Sequence, residues 1–293
     1  MARWGEVLTA MVTPFGPDLA LDVDGAVTLA RWLADNGSTG LVLAGTTGES
    51  ATLRDDEKVE LWRAVAEAVT VPVVAGAGTN DTRHSVELTE RAAACGVAAV
   101  LAVTPYYVRP SQAGLEAHFR AVAGATTLPV IAYDIPIRTG RKIAHDVLVR
   151  LARDVPNFLA VKDAALDVSA SARLLADAPG TFELYSGNDD QTLPLLAVGA
   201  VGVVGVATHW AGQQFAEMIA SFAKGDVATA REVNARLLES YDFEASDAAP
   251  NPVPAKAMMR AIGHRVGECR PPMGPTPPGL EDRAREVLDR LRG

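Results

Sequence analysis

The chain has 293 residues, 48% of them apolar, and a formal net charge of -9. Such a length suits a single α/β barrel with an appendage, and the apolar share suffices for a large core. The acidic balance argues against nucleic acid and anionic membranes as partners, so an anionic substrate must be met by cations placed locally in a cleft. Cys95 and Cys269 stand far apart and make neither a disulfide framework nor a metal pattern, which fits a reducing, cytoplasmic setting. Glu6 falls where a signal peptide would begin its apolar run. The longest uncharged stretch, 193–208, is glycine-rich and shorter than the ~18 apolar residues of a membrane span. It reads as a helix end, a turn and a strand.

Taken in order, short runs of Val, Leu, Ile and Ala are each followed by a loop and then by an amphipathic stretch. The strand candidates are 7–13, 40–43, 72–75, 99–103, 129–133, 158–162, 182–186 and 202–206. Between the first of them, apolar residues recur at helical spacing. Ala26, Leu29, Ala30 and Leu33 mark 24–35, and Val59, Leu61, Trp62 and Val65 mark 55–69 after an acidic start. Segments 82–94 and 111–123 open on Thr82 and Ser111 as candidate N-caps. Eight strands alternating with helices predict an α/β fold, a (β/α)8 TIM barrel with a parallel sheet. An open doubly wound sheet would want a Gly-x-Gly-x-x-Gly turn after its first strand, and there is none. From about 212 the pattern is helical only, at 213–223, 226–240, 254–262 and 279–291. The expected division is therefore a barrel over 1–210 and a C-terminal helical domain over 211–293.

In such a barrel the chemistry belongs at the C-terminal ends of the strands. The second strand ends in Gly45-Thr46-Thr47-Gly48-Glu49-Ser50, whose hydroxyls and N–H groups suit a carboxylate; an ordinary polar loop is the plainer reading. The fourth ends in Thr104-Pro105-Tyr106-Tyr107, where two packing aromatics are the commoner case. The fifth ends in Tyr133, able to move protons, with Arg138 five residues on as a carboxylate clamp or a surface ion-pair partner. The sixth is Phe158-Leu159-Ala160-Val161 followed by Lys162. Taken alone, a strand-end lysine more often points into water. Buried, its ammonium would be disfavoured and its free amine could attack a carbonyl to form a Schiff base. The seventh ends in Ser186-Gly187-Asn188-Asp189, where Gly187 permits close backbone approach. The five histidines are scattered with no metal spacing, and neither a Gly-x-Ser-x-Gly elbow nor a phosphate-binding P-loop is present. No metal or cofactor is expected. Lysine, tyrosine, threonine and arginine together fit imine chemistry on a keto acid.

These residues resemble the pyruvate-dependent class I aldolase superfamily, which includes the dihydrodipicolinate synthases and the N-acetylneuraminate lyases. Gly45-Thr46-Thr47-Gly48-Glu49, Tyr133 with Pro136, Val161-Lys162-Asp163 and Ser186-Gly187-Asn188-Asp189 stand in that order and spacing. Arg138, the Thr104–Gln112 segment and Asn251-Pro252-Val253-Pro254-Ala255-Lys256 resemble the synthase branch. The resemblance implies condensation of pyruvate, as a Schiff base on Lys162, with aspartate 4-semialdehyde. It implies catalytic roles for Lys162, Tyr133, Thr46 and Tyr107. It places pyruvate against Thr46, Thr47, Gly187 and Val204, and the semialdehyde on Arg138. It further implies a homotetramer, a dimer of dimers, in which Tyr107 serves the neighbouring subunit's site. Two alternatives stay open: another pyruvate aldolase acting on a sugar acid, and a catalytically silent barrel. Asp134 replaces a common asparagine and Ile137 a small residue. Asp55, Lys58 and His84 depart from the family's lysine-effector site, so weak or absent inhibition by lysine is expected.

Overall fold

The structure, a computed structural model, describes residues 2–292. Eight parallel strands close into a barrel in sequence order: β1 (Val7–Ala10), β2 (Gly40–Leu43), β3 (Val73–Gly76), β4 (Ala99–Val103), β5 (Val130–Asp134), β6 (Phe158–Asp163), β7 (Glu183–Ser186) and β8 (Gly202–Gly205). β1 pairs with β8, so no edge remains open. The helices are α1 (Val23–Asp35), α2 (Asp55–Ala68), α3 (Thr82–Ala93), α4 (Gln112–Gly124), α5 (Pro136–Thr139), α6 (His145–Asp154), α7 (Val168–Asp177), α8 (Thr192–Ala197), α9 (Thr208–Ala223), α10 (Val227–Phe243), α11 (Val253–Ile262) and α12 (Leu280–Arg292). The expected barrel is present, and so are all eight strand segments: β2 and β4 keep their expected ends, β1 is three residues shorter, and the other five differ by one residue at an end or shift by one. Among the described residues no helix is long and apolar enough to cross a membrane.

The strands are apolar throughout because both faces are covered. Leu8, Val42, Val74, Leu101, Ile131, Ala160 and Val204 point into the barrel, whereas Val7, Leu43, Ala102, Val130 and Phe158 meet the helices. Asp22, Asp81, Ser111, Asp167 and Asp226 cap helices by accepting backbone N–H bonds. The cap of α3 is thus Asp81 rather than Thr82, because the carboxylate reaches the Arg83 N–H at 3.0 Å.

α9 begins three residues after β8 and packs on β1, α10 and α11, so it serves as the barrel's last covering helix. It runs through the position expected to divide barrel from appendage, with its one non-helical residue, Ala211, at that point. α10, α11 and α12 pack on one another or on α9 and form the appendage.

Candidate active site

A strand's side chains alternate, so register decides who meets at the barrel mouth. In β5 and β6, Tyr133 and Lys162 are register partners, one residue from the strand ends, and both face the interior. Both are 5% exposed. Lys162 Nζ lies over the Tyr133 ring, 4.4 Å from its centroid. The Lys162 side chain therefore does not point into water: it is buried in the barrel mouth.

A cavity of about 480 Å³ opens above this pair. Thr46, Thr47, Tyr133, Arg138, Lys162 and Gly187 all line it. Gly187 fits because a Cβ there would meet the Ala164 Cβ at 2.8 Å. Asn251 Nδ2 donates to Thr47 Oγ1 at 3.1 Å, which leaves the Thr47 hydroxyl proton free to point elsewhere. Val204 does not line the cavity. It sits deeper in the barrel, 1% exposed and paired with Leu8, and Val206 takes the wall position. Tyr107 is also absent from the cavity wall; it is 88% exposed at φ 70°, a left-handed conformation costly for a tyrosine.

Arg138 lies on α5, a single turn started by Pro136. It makes no ion pair among the described residues, so its guanidinium is free for a ligand. Asp134, 1% exposed at the end of β5, fixes the segment that follows. Its Oδ1 accepts the Ile143 N–H at 3.2 Å and its Oδ2 lies 3.1 Å from Lys142 Nζ. Burial pushes this carboxyl up to about 6, and the Lys142 charge only partly offsets that. Ile137 is 80% exposed at the cavity rim.

The Thr46–Thr47 turn rests on a buried ion pair. Lys256 Nζ lies 2.7 Å from Glu49 Oε1, with side chains 0% and 1% exposed. Glu49 Oε2 accepts the Arg270 N–H at 2.8 Å, and Lys256 Nζ donates to the Glu268 carbonyl at 2.9 Å. The C-terminal helices therefore hold the β2 loop. His118 and His209 are structural. Burial pushes both down to about 4, and His209 bonds the Val12 N–H and the Val206 carbonyl. Lys58 and His84 both pair with Asp55, outside the cavity.

The remaining wall was not legible in the sequence. Asn188, Asp189, Asp190, Tyr241, Asp242, Glu244 and Asn251 also line the cavity. Asp189 Oδ2 accepts the N–H groups of Val206 and Ala207 at 2.8 and 2.6 Å. Burial first, then the adjacent Asp189 charge, holds the Glu244 carboxyl well above the ordinary carboxylate range. One signal was available: Asp242 and Glu244 stand at the C-terminal end of α10, where the helix dipole disfavours negative charge. Among the described residues no group of three or more His, Cys, Asp or Glu is placed to hold a metal ion.

Chemically, the arrangement offers one amine, one phenol beside it, hydroxyl donors for a carboxylate and a free guanidinium on the rim. The dihydrodipicolinate synthetase family profile matches residues 3–290. A 4-hydroxy-tetrahydrodipicolinate synthase of Acidothermus cellulolyticus is 51% identical over 293 residues, covering 99% of this chain and 91% of that protein. One from Moorella thermoacetica is 47% identical, covering 92% of each chain. The crystal structure of a dihydrodipicolinate synthase from Bacillus anthracis superposes with a TM-score of 0.94 at 40% identity over 99% of both chains.

Proposed function

The chain belongs to the dihydrodipicolinate synthetase family, and from that membership and the barrel-mouth geometry we propose that it is a 4-hydroxy-tetrahydrodipicolinate synthase. It condenses pyruvate with aspartate 4-semialdehyde through a Schiff base. The observation that carries this reading is the register pair Tyr133–Lys162, buried together at the mouth beneath an unpaired Arg138.

Lys162 Nζ adds to the pyruvate ketone, and loss of water gives the imine. Loss of a methyl proton gives the enamine, whose carbon attacks the aldehyde to form the new C–C bond. The substrate's amine then adds to the imine carbon, closes the ring and releases Lys162. Tyr133 is the proton carrier nearest the amine. Thr46 and Thr47 donate to the pyruvate carboxylate, and Gly187 leaves room for it. Arg138 takes the semialdehyde carboxylate in bidentate fashion. Bringing two anions together in fixed orientation is most of what the site supplies.

Tyr107 completes the relay in a second subunit. Its exposure and its strained backbone support a role at a contact between copies of the chain, in a dimer of dimers. The test of the substrate reading is pyruvate consumption with aspartate semialdehyde or with N-acetylmannosamine. Consumption with the semialdehyde alone is expected. Consumption only with the amino sugar would reassign the enzyme to the sugar-acid lyases.

A further inference from the structure

Between β5 and α6 the chain makes one helical turn, α5, and this short segment carries Arg138. Its own backbone bonds fix only the turn: the Arg138 and Thr139 N–H groups donate to the Ile135 carbonyl, and the Gly140 N–H to that of Pro136. Asp134 ties the far end from the β5 side, through Ile143 and Lys142. Four more hydrogen bonds join the segment to residues 109–112 after β4. Arg109 Nε donates to the Gly140 carbonyl at 3.1 Å, and Arg141 Nη2 donates in return to the Arg109 carbonyl at 3.1 Å. The Arg109 stem lies against Gly140, where a Cβ would meet its Cγ and Cδ at 3.4 Å. Gln112 brackets the exit: its Nε2 donates to the Lys142 carbonyl at 2.9 Å, and its Oε1 accepts the Ala144 N–H at 2.8 Å. Gln112 opens α4, whose first turn is capped by Ser111, so the bracket stands on a rigid base.

The same stretch presents Tyr107. Tyr107 and Arg109 both take left-handed backbone angles, at φ 70° and 47°, and the Val108 N–H closes on the Tyr106 carbonyl at 2.9 Å. A three-residue turn of this hand is strained, and it persists only where its surroundings hold it. Within one subunit, the bonds of Arg109 and Gln112 are such a hold. We propose that Arg109 and Gln112 are positioning residues for Arg138, joining the clamp for the aldehyde substrate's carboxylate to the stretch that presents Tyr107. This rests on the synthase reading, in which Arg138 takes that carboxylate, and extends it to two residues that do not line the cavity. A guanidinium grips a carboxylate through two parallel bonds, so its angle matters as much as its distance. Among the described residues, neither Arg109 nor Gln112 bonds Thr46, Thr47, Tyr133 or Lys162, so the pyruvate end of the mouth does not depend on them.

The test separates the two substrates. Gln112→Ala removes both bracket bonds and leaves every side chain that lines the cavity unchanged. The KM for aspartate semialdehyde is expected to rise about fivefold, with kcat and the KM for pyruvate within about twofold of wild type. In an Arg138→Ala background the same substitution should change kcat/KM for the semialdehyde by no more than about 1.5-fold, since no guanidinium is left to misplace. An equal rise in both KM values, no rise in either, or the same loss repeated without Arg138 would overturn the positioning role. Borohydride trapping of pyruvate reports whether the variant is folded. If Gln112→Ala fails to trap, Arg109→Met carries the same comparison. Methionine keeps the stem against Gly140 and loses the Nε donor, and the expected selective rise is about threefold. Failure of wild type to condense pyruvate with the semialdehyde would instead remove the synthase reading, and the positioning role with it.

Discussion

Asp134 is the residue at which a chain-specific choice has a measurable price in stability. It is buried beside Tyr133, and folding raises its pKa from 3.8 to about 6. The protonated form is therefore the one that favours the folded state. That contribution is complete below 3.8 and is lost as pH climbs through 6. Asp134→Asn, which keeps an acceptor for the Ile143 N–H, should add up to about 3 kcal/mol near neutral pH and nothing below the unfolded pKa. Urea unfolding at the two pH values checks this; a loss of stability near neutral pH would show that the Lys142 pair outweighs burial. Lys162 alone reads more often as a solvated strand-end lysine; it is the resemblance of the motifs around it that singles out Lys162 and Tyr133, and the fold buries both at the barrel mouth. Glu244 and Asn251 were not legible, since a helix-end acid and an asparagine before proline are ordinary in any loop. Val204 and the wall residue Val206 are one pleat repeat apart, and the strand pattern alone does not separate packed interior from wall over two residues.

The element that ties the appendage to the chemistry is α11, through Lys256. Its ion pair with Glu49 holds the β2 loop, where Ala44 and Glu49 both take left-handed backbone angles at φ 52° and 56°. Removing one partner strands the other's charge in the interior. Lys256→Met should cost about 3–5 kcal/mol and raise the KM for pyruvate by loosening Thr46 and Thr47, and adding Glu49→Gln should restore much of the stability. Denaturation of the single and double variants tests the coupling; additive losses would show that the two residues act independently. The helices themselves were legible from apolar spacing and caps. The role of α9 was not, because a barrel-covering helix and an appendage helix carry the same amphipathic pattern.

At the scale of the whole molecule, the strand–helix alternation was enough to predict the closed barrel, since only closure leaves eight parallel strands without an edge. Assembly is a different matter: an exposed tyrosine in the sequence looks the same whether it meets water or a second subunit. If Tyr107 completes a neighbour's relay, specific activity should fall as dilution separates the subunits, followed by analytical ultracentrifugation. Fully active monomers would remove the shared tyrosine.

The central claim is that Lys162 carries pyruvate as an imine. The most direct measurement is to incubate the protein with pyruvate, reduce with borohydride and map the modified peptide by mass spectrometry. A reduced pyruvyl adduct on Lys162, absent from Lys162→Ala, is the predicted result. No adduct, or one on Lys58, Lys142 or Lys256 instead, would contradict the account.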